Sequence, residues 1–210
     1  IVFLPLAHSL QRTVTYRGLM EDVQGWFCGI PELQEVLPLA RPTLLVTVPR
    51  MLEKIKARAE ATAAARSPIA AKVFAWAISV GRARAHLRRH GRAVPLTLAL
   101  QHLVADRLVF RKVRDKLGGS MRLAVSGGAA LGVDVAEWFE AVGVPVREGW
   151  GLTETCAPAT TNTLDHVRLG TVGLPLPGVD VRLAQDGEIE VRSPGNFRGY
   201  HRDPDATAAA

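Results

Sequence analysis

The sequence predicts an α/β fold: a mostly parallel sheet with flanking helices, a basic helical insertion and a C-terminal β-hairpin region. Three observations predict it. Short apolar runs bounded by Pro or Gly fall at residues 43–48, 121–126 and 144–147, with the length and composition of buried strands. Between the first and second of these the apolar spacing becomes helical. Beyond Gly170 the pattern is β throughout.

In chain order, Ile1–Leu6 and Thr43–Val48 read as buried strands, each bounded by proline, while Leu19–Phe27 is too mixed to assign. Pro49 then starts a helix, since proline is tolerated in a first turn whose N–H groups are unpaired anyway. Ile69, Val73, Trp76 and Val80 mark an apolar helical stripe, and after Pro95 so do Leu96, Leu100 and Leu103, followed by Leu108 and Val109. Breaks are expected near Ser67-Pro68 and Gly91–Pro95.

After Gly118-Gly119, Met121–Ser126 reads as a strand, Gly127-Gly128 as a tight turn, Asp134–Ala141 as a helix and Val144–Arg147 as a second strand. This is one βαβ unit, whose right-handed crossover places the loops after both strands on the same carboxyl edge. Val179–Leu183 and Glu188–Arg192 flank a turn containing Asp186-Gly187, a hairpin signal. Asp203-Pro204 supplies a helix cap and its first-turn proline.

Composition narrows the class. The chain has 210 residues, is 48% hydrophobic and 22% charged, and has two cysteines, which excludes a disordered, collagenous or disulfide-stapled polypeptide. No apolar run is long enough for a membrane span. Cys28 and Cys156 sit in no metal or redox motif, so two free thiols in a reducing, cytoplasmic compartment are expected. An apolar start at Ile1 and a helix just begun at residues 203–210 give the expectation of a slice from a longer domain.

Charge is uneven. Residues 54–116 hold 15 Lys and Arg against 3 Asp and Glu, whereas the rest carries 11 against 17, giving the overall +6. Most of the basic residues are arginine, a bias that a GC-rich genome produces without any binding role. The sharper reading is an anion-facing helical surface, directed at phospholipid headgroups or acyl-CoA phosphates. Nucleic acid is a third such anion, but no nucleic-acid-binding signature accompanies the basic residues, which makes it the weakest of the three, and no nucleic-acid partner is expected.

Two loops are candidates for chemistry. The first, Ser126-Gly127-Gly128-Ala129-Ala130, places paired glycines after a strand, where backbone can approach a flat or anionic ligand. Taken alone, such a pair is a tight turn as readily as a ligand cradle. It is not a nucleophile elbow, because the flanking glycines of GxSxG are absent. The second loop is Glu148-Gly149-Trp150-Gly151-Leu152-Thr153-Glu154-Thr155. An aromatic between glycines can lie flat against a purine, a nearby hydroxyl can bond a phosphate oxygen, and the adjacent carboxylate can hold Mg²⁺.

These strings resemble the adenylate-forming superfamily of acyl-CoA synthetases, luciferases and adenylation domains. GWGLTET is similar to its aromatic-Gly-x-Thr-Glu loop, SGGAAL to its adenine-side loop, RLGTVGLPLPGVDVRL to its next glycine motif, and DGEIEVRSPGNFRGYHRDPDAT to the strands leading to its ribose-binding aspartate. LPLAHSLQR, RPTLLVTVPRMLEKI and the long basic block further resemble bacterial long-chain fatty acyl-CoA synthetases.

The resemblance implies the large N-terminal domain of that superfamily in part: an AMP-binding domain over 1–210, with a helical insertion at 54–116, the βαβ unit with the adenine and Mg²⁺ loops at 118–170 and a β-rich segment at 171–210. It implies ATP, Mg²⁺ and CoA as cofactor and co-substrates, and a long-chain fatty acid as substrate. Gly127, Gly128 and Ala129 would line the adenine and acyl-carboxylate side. Glu148, Gly149, Trp150, Gly151 and Leu152 would shape the nucleotide pocket, Thr153 would contact the α-phosphate, Glu154 would bind the metal, and His8 would stand beside the acyl or pantetheine channel.

It further implies that the phosphate loop, ribose aspartate and catalytic lysine lie outside these residues, and that this stretch alone is inactive. None of Lys54, Lys56, Lys72, Lys112 and Lys116 has the context of that catalytic lysine. Two alternatives stand beside this reading. One is a fatty acyl-AMP ligase that loads a carrier protein. The other is a non-catalytic lipid- or anion-binding module built on residues 54–116, which is compatible with peripheral contact at the inner face of an anionic membrane.

Overall fold

In the computed structural model, which describes residues 1–209, three parallel strands set the frame for everything else. β1 (Leu44–Thr47), β2 (Leu123–Ser126) and β3 (Val146–Leu152) lie side by side, with Thr47 in register with Ser126 and Ser126 with Glu148. Parallel neighbours need long crossovers, and the chain supplies them. The helical stretch from Pro49 to Lys116 connects β1 to β2, and α7 (Val133–Val142) connects β2 to β3. The sheet then turns antiparallel through β4 (Ala157–Thr161) and β5 (Leu174–Pro175), giving the order β1-β2-β3-β4-β5.

β3 is not the short strand expected at Val144–Arg147. It starts at Val146 and runs through Leu152, so half of the predicted loop is extended backbone. The reason is a change of partner. Residues up to Glu148 pair with β2, whereas Gly149–Leu152 pair with β4, and the register slips between Trp150 and Gly151. A β4 that returns through the turn at 153–156 offers hydrogen bonds that a two-strand reading does not contain.

The helical block breaks where proline and glycine predicted. α3 (Pro49–Arg66) gives way at Ser67, whose hydroxyl accepts the Ala70 N–H at 3.0 Å and caps α4 (Pro68–Arg89). α5 (Leu96–Ala105), a wide π turn at Asp106–Phe110 and α6 (Arg111–Lys116) continue as one rod. The buried side of α4 differs from the expected stripe, however: Phe74, Ala77, Ile78, Val80 and Gly81 face the core, whereas Ile69 and Trp76 are exposed. Small residues decided this, since a Cβ on Gly81 would stand 2.6 Å from the Ala141 carbonyl oxygen of α7. The two helices cross where one lacks a side chain. Leu96, Leu100, Leu103 and Leu108 are likewise exposed, while Val109 and Phe110 are buried.

The N-terminal segment also departs from expectation. Ile1–Leu6 makes only one bridge, with the Val2 N–H bonded to the Trp26 carbonyl at 2.7 Å and the Cys28 N–H to the Val2 carbonyl at 3.2 Å. Pro5, which has no N–H, stands where a longer ladder would need a donor. Two helices follow that the mixed sequence did not announce: α1 (Ser9–Met20), which buries only Leu10 and Gln11, and α2 (Leu33–Ala40).

At the C-terminal side β6 (Asp180–Leu183) and β7 (Ile189–Arg192) form the expected hairpin. α8 (Pro204–Ala209) begins behind Asp203, whose carboxylate accepts the Ala206 N–H at 2.9 Å. The core centres on α7, whose Trp138 and Phe139 are fully buried and meet edge to face at 4.9 Å. Among the described residues no helix is long and apolar enough to cross a membrane.

The α4–α7 crossing generates a stability prediction. Gly81→Val drives two methyls into the Ala141 backbone and is expected to lower unfolding free energy by about 2–3 kcal/mol in urea titrations. An unchanged midpoint would mean that the helices cross elsewhere.

Candidate functional site

β1 and β2 end level with Glu148 of β3, so the residues that follow Thr47, Ser126 and Glu148 are delivered to one edge of the sheet. After β2 the chain turns sharply. Gly128 has φ +83°, a conformation that side chains disfavour, and the Gly127 N–H bonds the Thr47 carbonyl at 3.3 Å. A Cβ on Gly127 would come within 3.1 Å of Leu10 Cδ2 and 3.5 Å of the Gly149 carbonyl. The glycine loop is thus threaded between α1 and β3, where a larger residue would fill the space.

That space is a cavity of about 110 Å³ whose lining includes His8, Leu10, Gly127, Gly128, Trp150 and Gly151. Three segments far apart in sequence therefore meet on one void, with β4 closing it through Pro158 and Thr161. His8 caps α1 by accepting the Leu10 N–H on Nδ1 at 3.3 Å, and its Nε2 would stand 4.0 Å from a Cβ on Gly128. Trp150 is half-buried opposite Thr160 of β4. Ser126 contributes to the same wall, and its buried hydroxyl has no hydrogen-bond partner among the described residues.

Glu148 has a different task from its neighbours. Its side chain is buried, and Oε1 accepts the Leu131 N–H at 2.8 Å. The carboxylate braces the far end of the glycine loop against β3. Arg147, also buried, faces another way, donating to the Thr163 carbonyl at 3.1 Å and pairing at 3.4 Å with Glu140. Burial lowers the pKa of its guanidinium, opposed by Glu140.

The remaining predicted residues lie outside the cavity lining. Ala129, Leu152 and Thr153 are exposed. Glu154 sits in the turn between β3 and β4, where its carboxylate accepts the Tyr200 hydroxyl at 2.8 Å and its carbonyl accepts the Phe197 N–H at 2.7 Å. The Tyr200 hydrogen bond holds the Glu154 carboxyl below the usual range and pushes the Tyr200 phenol up. Thr13 of α1 donates to the Cys156 carbonyl at 3.2 Å, tying the other side of this turn down. Sequence reasoning missed Tyr200, because a contact across 46 residues leaves no local periodicity. It also missed Leu10, Pro158 and Thr161, which wall the cavity from elements it did not anticipate.

The arrangement fits a flat, nitrogenous ring. Glycine backbone and an indole both line this small cavity of mixed polarity. A metal would not be caged by protein alone: among the described residues no group of three His, Cys, Asp or Glu side chains converges. A single ionised carboxylate, Glu154, suits Mg²⁺, which takes one or two carboxylates and completes its shell with phosphate oxygens and water.

The profile of the family described as AMP-binding enzyme matches residues 1–201. The long-chain-fatty-acid–CoA ligase FadD15 of Mycobacterium bovis is 40% identical over 212 residues, covering 100% of this chain and 35% of its own length. The chain thus spans about a third of the curated relatives it matches. Among solved structures, an ATP-bound RpMatB–BxBclM chimera superposes with a TM-score of 0.64 at 25% identity, over 100% of this chain and 34% of that one. The O-succinylbenzoate coenzyme A synthetase MenE of Bacillus subtilis, in complex with ATP and magnesium ion, gives 0.62 at 17% identity, over 100% and 35%.

Tyr200→Phe keeps the ring and removes the donor. The Glu154 carboxyl pKa is then expected to rise toward that of an ordinary glutamate in a carbon-detected NMR titration. Because the folded-state value is depressed, the contact contributes above the unfolded-state pKa and is lost as pH falls through the folded one. A titration curve identical to wild type would mean that Tyr200 does not hold this carboxylate in solution.

Proposed function

The chain belongs to the AMP-binding enzyme family, and from that premise we propose that it forms the adenylate-binding part of an ATP-dependent long-chain fatty acid–CoA ligase. The observation that carries the reading is the convergence of His8, Gly127-Gly128 and Gly149-Trp150-Gly151 on one cavity. The acyl specificity rests on the 40% identity with a protein named for long-chain fatty acids. The two free thiols, Cys28 and Cys156, favour a cytoplasmic setting.

The reaction has two halves. A fatty acid carboxylate attacks the α-phosphorus of ATP, the bond to the β-phosphate oxygen breaks, and acyl-AMP and pyrophosphate form. The CoA thiolate then attacks the acyl carbonyl, and AMP leaves with its phosphate oxygen. Mg²⁺ supplies neutralisation of the phosphate charge during the first half. In this chain Trp150 and the Gly127-Gly128 backbone hold the adenine, with Gly149 and Gly151 shaping the cavity around it, while Ala129 and Leu152 stand outside its lining. Ser126 offers a buried hydroxyl donor in the wall. Thr153 bonds the α-phosphate and Glu154 is the metal-binding carboxylate, kept ionised by Tyr200. Glu148 acts at one remove, keeping both loops in place through Leu131. His8 stands at the acyl or pantetheine side.

Among the described residues no Lys or Arg lines the cavity, and the chain by itself is proposed to be inactive. ATP–pyrophosphate exchange tests both statements. The full-length enzyme is expected to show palmitate-dependent exchange, lowered about a hundredfold by Glu154→Gln, and the isolated chain to show none. Exchange that prefers aryl acids, or that is unaffected by Glu154→Gln, would overturn the assignment. Formation of palmitoyl-CoA in the same assay separates a CoA ligase from an acyl-AMP ligase that loads a carrier protein.

A further inference from the structure

The cavity-lining part of β3 depends on β4 for its place in the sheet. β2 pairs with β3 only as far as Glu148, and Gly149–Leu152 pair with β4 instead. On its other side β4 has only the two residues of β5. Gly149, Trp150 and Gly151 of β3 and Pro158 and Thr161 of β4 all line the cavity. Whatever fixes β4 against β3 therefore sets the shape of the cavity. The ladder itself is irregular there, since its register slips between Trp150 and Gly151.

At the far end of β4 one side chain reaches across. Arg147 is buried, and its Nε donates to the Thr163 carbonyl at 3.1 Å, two residues past the end of β4. Its Nη1 lies 3.4 Å from Glu140 Oε1 on α7 and donates to the Val146 carbonyl at 2.9 Å. The other Glu140 oxygen accepts Arg89 Nη1 of α4 at 3.1 Å. One guanidinium thus joins a carboxylate of the central helix to the backbone that leaves β4. The segment it grips is folded on itself: Asn162 accepts the Arg168 N–H at 2.9 Å and donates to the Thr171 carbonyl, and the Asn162 N–H bonds the Glu148 carbonyl at 2.9 Å. A shift of Thr163 is therefore passed to Asn162 and to β3.

A buried ion pair is by itself weak evidence for stability. Here the planar fork gives the pair a second task, because a charged donor with fixed geometry holds an acceptor in place as well as close by. Arg147 does not line the cavity, so it acts on the site through β4. Its partners Glu140, Val146 and Thr163 all belong to this chain, and the contact needs no other surface.

We propose that Arg147 is a positioning residue for nucleotide binding: anchored on Glu140, it holds the Thr163 carbonyl and keeps β4 against Gly149–Gly151. The inference rests on the ligase reading and names the residue on which the affinity of that site for ATP depends.

The test is the apparent KM for ATP in palmitate-dependent ATP–pyrophosphate exchange by the full-length enzyme. Arg147→Gln is expected to raise it about tenfold, with kcat and the palmitate KM within about twofold of wild type, the pattern of lost ground-state binding. Arg147→Lys keeps a cation for Glu140 but lacks the fork that reaches Thr163 at the same time, so the ATP KM should still rise about fivefold with a near-normal thermal midpoint. This variant decides the question if Arg147→Gln does not fold. Arg89→Gln removes the other cation from Glu140 and leaves the Thr163 contact, so it should lower the thermal midpoint and leave the ATP KM unchanged. An unchanged ATP KM in Arg147→Lys, or an equal rise in Arg89→Gln, would overturn the proposal while wild-type exchange leaves the ligase reading intact. A wild type without palmitate-dependent exchange would overturn the ligase reading and this inference with it.

Discussion

One buried hydrogen bond, from the Leu131 N–H to the Glu148 carboxylate, holds the site together. The glycine loop leaves β2 with strongly bent backbone, and few contacts of its own keep it in place. Its far end is fixed because β3 presents an acceptor at the point where Leu131 turns back toward α7. A carboxylate removed from water needs such a donor, and a backbone N–H next to buried Leu131 needs such an acceptor, so each satisfies the other. The brace acts together with the strand register, which brings Ser126 opposite Glu148.

Behind the brace, α7 transmits the rigidity of the core to both loops. Trp138, Phe139 and Val142 are fully buried, and Glu140 on the same helix reaches Arg147 of β3 and Arg89 of α4. Two cations on one partly buried carboxylate tie together the insertion, the crossover helix and the strand that carries the site. Gly81 lets α4 come close enough for that contact. The helical insertion is thus attached to the sheet through small side chains and ion pairs, and much of its remaining positive charge faces solvent. The cavity itself is walled by glycine, indole, imidazole, hydroxyl and aliphatic groups, so the arginine and lysine charge that dominates the composition is not gathered there.

The sheet edge and the outer side of α5 present different surfaces. Concave, narrow and braced, the edge suits a small planar ligand held in one pose. The outer side of α5, by contrast, leaves Leu96, Leu100 and Leu103 exposed.

Much was legible in the residues alone. Pro49, Ser67-Pro68 and Gly91–Pro95 marked the helix limits, because proline and glycine act through the local backbone whatever surrounds them. Gly127-Gly128 marked the turn after β2 for the same reason, and Gly149-Trp150-Gly151 of the second string line the cavity, whereas Leu152, Thr153 and Glu154 do not. Other features depended on partners distant in sequence. β3 extends through Leu152 because β4 returns to pair with it, Ile1–Leu6 forms no strand because only one bridge to Phe27 is available, and α4 turns Phe74 inward because Gly81 must face Ala141. Periodicity shows that a helix has apolar stripes but not which stripe finds a neighbour, and so the leucines of α5 are in solvent. The sequence by itself determined local backbone geometry and the chemical vocabulary of the two loops. Only the tertiary structure decided that His8 joins them, that Glu148 braces them and that Tyr200 holds Glu154, because those contacts arise when separate elements are brought to one edge of the sheet.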